Sequence, residues 1–234
     1  MRYNADRARI AITLIWIILG LEIMMFISGF LQYNLLQNIN AGIEISDEAA
    51  NFNDLREGAI GILYLVVLII SAVTFIRWFR RAYFNLHTQV NYLEHDEGWA
   101  AGAWFVPILN LFRPYNIMRE LYNETDELLK KKVEGYTTML RGTAVGWWWF
   151  FWIIAGFLGN ASFRLAMHAE SVEELINVTV INMASNIVGI PSALLAVKVI
   201  KDYSKMEDIL YQLRDGDDAL LTHIQDDDIL DATL

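Results

Sequence analysis

The stretch Gly98–Glu120, GWAAGAWFVPILNLFRPYNIMRE, lies between two pairs of hydrophobic segments, and its reading decides the fold. It is too apolar for a solvated loop. Its uncharged part, 98–112, falls well short of the roughly 20 apolar residues that a crossing helix needs, and has the length of a re-entrant or interfacial segment. Pro107 and the Arg113–Pro114 pair divide the stretch. An aromatic, glycine-containing approach comes first, then a short apolar dip, then the start of a helix, because proline interrupts backbone pairing and restricts the residue before it.

Outward from this stretch lie four apolar runs of spanning length, about 10–31, 59–78, 143–163 and 175–197. The whole chain agrees with them: 234 residues, 55% hydrophobic, with mean hydropathy +0.31, is the composition of a small polytopic membrane protein. The expected fold class is all-α, with four transmembrane helices and, between spans two and three, a cytoplasmic re-entrant or interfacial segment (98–120) followed by an amphipathic helix. Residues 1–214 are expected to form one membrane domain. Residues 215–234, with seven Asp between Asp215 and Asp231, read as an acidic, mobile tail.

There is no cysteine, which excludes disulfides, thiolate metal sites and cysteine nucleophiles. The net charge of −10 argues against a nucleic-acid partner, since phosphate-backbone binding draws on clustered Lys and Arg. Arg2, Arg7 and Arg9 precede a first span with no small-residue cleavage site, so a retained anchor is expected rather than a signal peptide.

Between the first two spans, 32–57 reads as a polar loop. The second span leaves through Arg77, Arg80 and Arg81, and helix is expected to continue through AYFNLHTQVNYL, where no Pro or Gly intervenes. Ile117, Met118, Leu121, Tyr122, Leu128 and Leu129 recur at helical spacing and predict an amphipathic helix ending in Lys130–Lys132. WWWFFW places the start of the third span at an interface. Ser171 with Glu174 fits a capping box before the fourth, Pro191 is expected to kink that span, and Met206, Ile209, Leu210 and Leu213 mark a short helical stretch beyond it.

Of the 18 Lys and Arg, all but Arg56 and Arg164 fall on one side of such a four-span chain. By the positive-inside rule both termini and the central stretch are expected in the cytoplasm. The two halves share an in–out–in pattern with a basic exit helix, which an internal repeat or the charge rule alone would produce.

Glu22 is the single charge within the first span. A carboxylate near mid-bilayer costs at least ~2.5 kcal/mol, so it is expected to face the bundle interior and find a partner, or to be protonated. Asn182, Ser185 and Asn186 in the fourth span and Asn160 at the end of the third are the expected partners. The cluster is either a proton or cation relay or a hydrogen-bonded packing contact; no second intramembrane acid continues a relay. Around the central stretch, Trp99, Trp104, Arg113, Tyr115 and Arg119 form the expected contact with lipid or a partner. Arg113 suits a lipid phosphate or a partner carboxylate, or snorkels from a dipping segment. His87 and His95 with Glu94 lack a further ligand at regular spacing, and no metal or cofactor is expected. Catalytic and nucleotide fingerprints such as HExxH, GxSxG and the P-loop are missing, so an enzyme is not expected.

The combination of FIRWFRRAYFNL, GWAAGAWFVPILNLFRPYNIMRELY and WWWFFWIIA resembles the bacterial membrane proteins grouped as domain of unknown function 4328. The residues that carry the likeness are Gly98, Trp99, Trp104, Pro107, Asn110, Arg113, Pro114, Tyr115 and Glu120, with Arg80, Arg81 and Asn85 in the basic exit. The resemblance implies a four-span protein of a bacterial inner membrane and transfers no activity. The expected function is a non-enzymatic subunit or scaffold whose partners are membrane lipid and another membrane protein or a second copy. The alternative is a small transporter or channel working through Glu22 and the fourth-span Asn residues.

Overall fold

The computed structural model describes the backbone of residues 1–138 and 142–231 and the side chains of 1–138 and 142–214. In chain order it contains α1 (Ala5–Asn40), α2 (Asp47–His87), the one-turn α3 (Trp99–Gly102), two 3-10 turns (Ala103–Phe105 and Leu109–Leu111), α4 (Arg113–Lys132), α5 (Thr143–Ala166) and α6 (Val172–Asp231). No strand occurs among the described residues. Four of these helices, α1, α2, α5 and α6, are long and apolar enough to cross a membrane, as a multi-pass membrane protein requires.

The polar connection between the first two spans is shorter than its composition predicts. α1 continues to Asn40 and α2 begins at Asp47, so the expected loop over 32–57 is mostly helix. Polarity ends a span but does not end a helix. The break comes where Gly42 takes a positive φ of 78° and where the Ser46 hydroxyl accepts from the Ala49 amide at 3.2 Å. At the other end, helix stops at His87 instead of running through Leu93: the Thr88 hydroxyl donates to the Asn85 carbonyl at 2.7 Å, and the Gln89 and Val90 amides both turn back to the Leu86 carbonyl. The capping box before α6 is present: Glu174 N donates to Ser171 Oγ, and Ser171 N to Glu174 Oε2. α6 passes through Pro191 and the acidic stretch as one continuous helix.

α1 packs against both α2 and α6, and α6 against both α1 and α5, so the spans lie in the order α2, α1, α6, α5. Burial follows that order: 28% and 33% of the apolar windows of α1 and α6 are buried, against 11% and 17% for α2 and α5. The antiparallel α1–α6 pair holds one register over its length. Asn4 meets Glu207, Glu22 meets Gly189, and Gly29 meets Met183, where an added Cβ would sit 3.0 Å from the methionine Cγ. Small residues at such points let backbones approach when lipid supplies no hydrophobic drive for association.

The dense core lies elsewhere, at the arginine-rich ends of the helices. Trp78, Phe79, Tyr83, Ile117, Met118, Leu121, Ile200, Tyr203 and Met206 are almost wholly buried there. Water, unlike lipid, penalises exposed apolar surface, so a core at helix ends that meet water can be held by hydrophobic burial. α4 supplies the lid of this core, burying the six residues whose spacing predicted it, and its Tyr122 donates to the Val199 carbonyl of α6 at 2.7 Å.

Candidate functional site

Glu22 is buried where three helices meet, and its partner comes from the second span. Tyr64 Oη donates to Glu22 Oε1 at 2.8 Å, while Gly189 on α6 backs the carboxyl so closely that a Cβ there would fall 2.7–2.9 Å from its atoms. The polar cluster expected with Asn160, Asn182 and Ser185 does not form around it. Asn160 is exposed, Asn182 accepts from Ser162 of α5 at 2.6 Å, and the Ser185 hydroxyl reaches the Ala155 carbonyl at 3.4 Å. Asn182 and Ser185 serve the α5–α6 contact, on the far side of α6 from α1. Asn186 is buried one turn before Gly189. Helical spacing alone could not separate the two faces, because α6 is flanked by helices on both sides.

The central stretch forms a platform across the gap between α2 and α5. Trp104 is its keystone: its ring stands edge-on to Phe75, Phe79, Trp149 and Trp152 at 5.6–6.2 Å between centroids, and its indole N–H donates to the Ala100 carbonyl. Trp149 in turn donates to the Leu111 carbonyl at 3.0 Å. Phe75 and Trp152 belong to the spans themselves, so the stretch reaches the level of the apolar helices. Its tip is bare, with Phe105 78% and Ile108 72% exposed on either side of Val106 and Pro107.

The five residues expected to share one contact are divided. Trp104 is part of this aromatic cluster. Trp99 is covered by the Arg113 guanidinium at 4.5 Å from the ring centroid. Tyr115 stacks on Trp149 at 6.1 Å and so joins the edge of that cluster, while Arg119, one turn on along α4, lies with its guanidinium 5.6 Å from the phenol ring.

A second buried polar cluster ties the chain's beginning to its end, and the sequence reading passed over it. Glu207, on α6 beyond the fourth span, accepts from Asn4 Nδ2 at 2.9 Å and from Asn85 Nδ2 at 2.6 Å. Asn85 also grips the backbone of Arg2, donating to its carbonyl at 2.8 Å and accepting from its amide at 2.7 Å. Burial pushes the Glu207 carboxyl up to about 7, against the opposing effect of the Asn85 and Asn4 amides. One signal was available: Tyr203, Glu207 and Leu210 share the stripe that Met206 and Leu213 help define, so a carboxylate stands inside an apolar face.

Nearby, Glu120 of α4 fastens the 88–98 connection. It accepts from the Glu94 amide at 2.6 Å and from Tyr83 Oη at 2.7 Å, and burial followed by this bond raises the phenol's pKa, keeping it a donor. His87 Nε2 lies 3.0 Å from the His95 carbonyl, so the two histidines meet through ring and backbone and do not present two rings to one ion.

No curated protein and no solved structure is detectably similar to the chain. A family model, described as Domain of unknown function (DUF4328), matches residues 41–205. The match takes in Tyr64, Asn85, Gly189 and the whole central platform, and leaves α1 outside it with Asn4 and Glu22. The chain belongs to the DUF4328 family.

Proposed function

We propose that the protein is a non-enzymatic subunit or scaffold of a membrane assembly, held in a bacterial inner membrane with both termini in the cytoplasm. The observation that carries this reading is the use made of Glu22. Its carboxyl is bonded to Tyr64 and closed off by Gly189, so the costliest intramembrane group joins α1, α2 and α6. A groove lined by Gly20, Ile23, Met24, Ile27 and Leu31 of α1 with Ile60 of α2 is mainly apolar, takes its polar lining from Ser28 and Arg56, and does not include Glu22. A transporter working through Glu22 would need an open polar approach to that carboxyl.

The acidic stretch that continues α6 suits a basic partner on the cytoplasmic side. Affinity purification in mild detergent is expected to recover a stoichiometric partner or a defined homo-oligomer, and truncation after Arg214 to weaken that recovery. A clean monomer with nothing bound would rule the assembly out. Orientation has its own test, aided by the lack of native cysteine. Cysteines replacing the exposed Ser46 and Ser171 are expected to react with an impermeant thiol reagent added outside intact cells, and one replacing the exposed Lys131 to react only after permeabilisation. The reverse pattern would invert the topology.

A further inference from the structure

We propose that the cavity between α4 and the first turns of α5 is a binding site for the headgroup of an anionic glycerophospholipid from the leaflet on the arginine-rich side. The cavity measures about 730 Å³, which is more than a free phosphate fills and enough for a phosphoglycerol head. One helical row of α4 forms its first wall: Tyr115, Arg119 and Asn123 stand at i, i+4 and i+8. Neither i±4 neighbour of Arg119 is acidic, and no carboxylate among the described residues pairs with its guanidinium. The Tyr115 ring lies 5.6 Å from the guanidinium, and Arg119 lines the cavity, where its planar fork of N–H donors suits a phosphodiester.

The facing wall changes character along its length. Thr143 supplies a hydroxyl at the start of α5, whereas Trp147 and Phe150, 56% and 49% exposed, carry the wall onward as apolar surface. A head-to-tail polarity of this kind matches a lipid lying along α5, with its phosphate at Arg119 and its acyl chains against Trp147 and Phe150. Gly146 keeps the space open between the walls. A Cβ there would only touch Tyr115 Oη, at 3.9 Å, but a larger side chain would occupy the cavity itself.

The test is titration of the delipidated protein in detergent with dioleoylphosphatidylglycerol and, separately, dioleoylphosphatidylcholine, with bound lipid counted by native mass spectrometry. Phosphatidylglycerol is expected to bind at least ~10-fold more tightly, about 1.4 kcal/mol of preference. Arg119→Gln is expected to erase most of that preference while leaving the fold intact, since the side chain is exposed. Gly146→Leu is expected to lower binding of both lipids. Equal binding of the two lipids by the wild type, or a preference that survives Arg119→Gln, would overturn the site. Millimolar inorganic phosphate and glycerol phosphate are expected not to displace the lipid; full displacement would assign the cavity to a soluble phosphate ester and overturn the lipid reading.

Discussion

Glu207→Ala is expected to cost the folded protein about 3 kcal/mol, the largest single effect among its polar residues. The substitution empties a buried site and leaves amide hydrogens of Asn4 and Asn85 without their acceptor, so it loosens α6 from the segment before α1, which Asn85 of α2 still holds by the backbone of Arg2. Glu207→Gln removes the charge with little change of volume and is expected to cost less, but to alter the pH profile. Because the folded carboxyl titrates at about 7 against an ordinary value of 4.5, the folded state keeps a proton that the unfolded chain has released between those limits. Its contribution is greatest below about pH 4.5 and is lost as pH rises through about 7, by an amount on the order of 3 kcal/mol. Thermal unfolding in detergent from pH 4.5 to 8 is the measurement. The wild type is expected to fall in stability relative to Glu207→Gln across that window and to run parallel to it above; parallel curves throughout would show that the carboxyl does not titrate there.

Gly189→Ala is expected to destabilise the protein by about 2 kcal/mol in the presence of Glu22 and by very little in a Glu22→Ala background. The added Cβ would lie 2.7–2.9 Å from the Glu22 carboxyl atoms, which are the end of a side chain and can swing away. Swinging breaks the bond from Tyr64, so the cost is that hydrogen bond and the re-burial of a polar group among apolar helices. The double-mutant cycle, read by thermal unfolding, separates this from simple helix crowding. An equal cost in both backgrounds would mean that α1 and α6 are being forced apart, and that the carboxyl plays no part in seating Gly189.

Local patterns carried the reading of individual elements a long way. Spacing alone found six of the apolar residues that α4 buries, and Ser171 with Glu174 marked the start of α6, because both signals act within one or two helical turns. Polarity misled over 32–57, where a polar sequence is still helical, and the lack of Pro or Gly misled over 88–93, where the helix has already ended at His87. Arg113 shows the limit of reading a charge by type. A guanidinium after an apolar dip suits lipid or a carboxylate equally, and in the fold it lies over Trp99.

What the sequence determined by itself was the set of elements and their sidedness pattern: four apolar helices, a short apolar stretch between the second and third, and basic residues gathered at one end. These follow from hydropathy and charge counted along the chain, which need no knowledge of neighbours. The tertiary structure decided that α1 runs between α2 and α6, that Glu22 meets Tyr64 and Gly189 instead of the Asn residues of the fourth span, and that Asn4, Asn85 and Glu207 close on one another. The reason is register. Every helix in a membrane bundle offers polar groups on more than one face, and which pair meets depends on the rotation and offset of helices far apart in sequence. Gly98–Glu120 obeys the same division: its apolar character is local, but its place as a platform between α2 and α5 exists only once Trp104 has Phe75 and Trp152 to stand against.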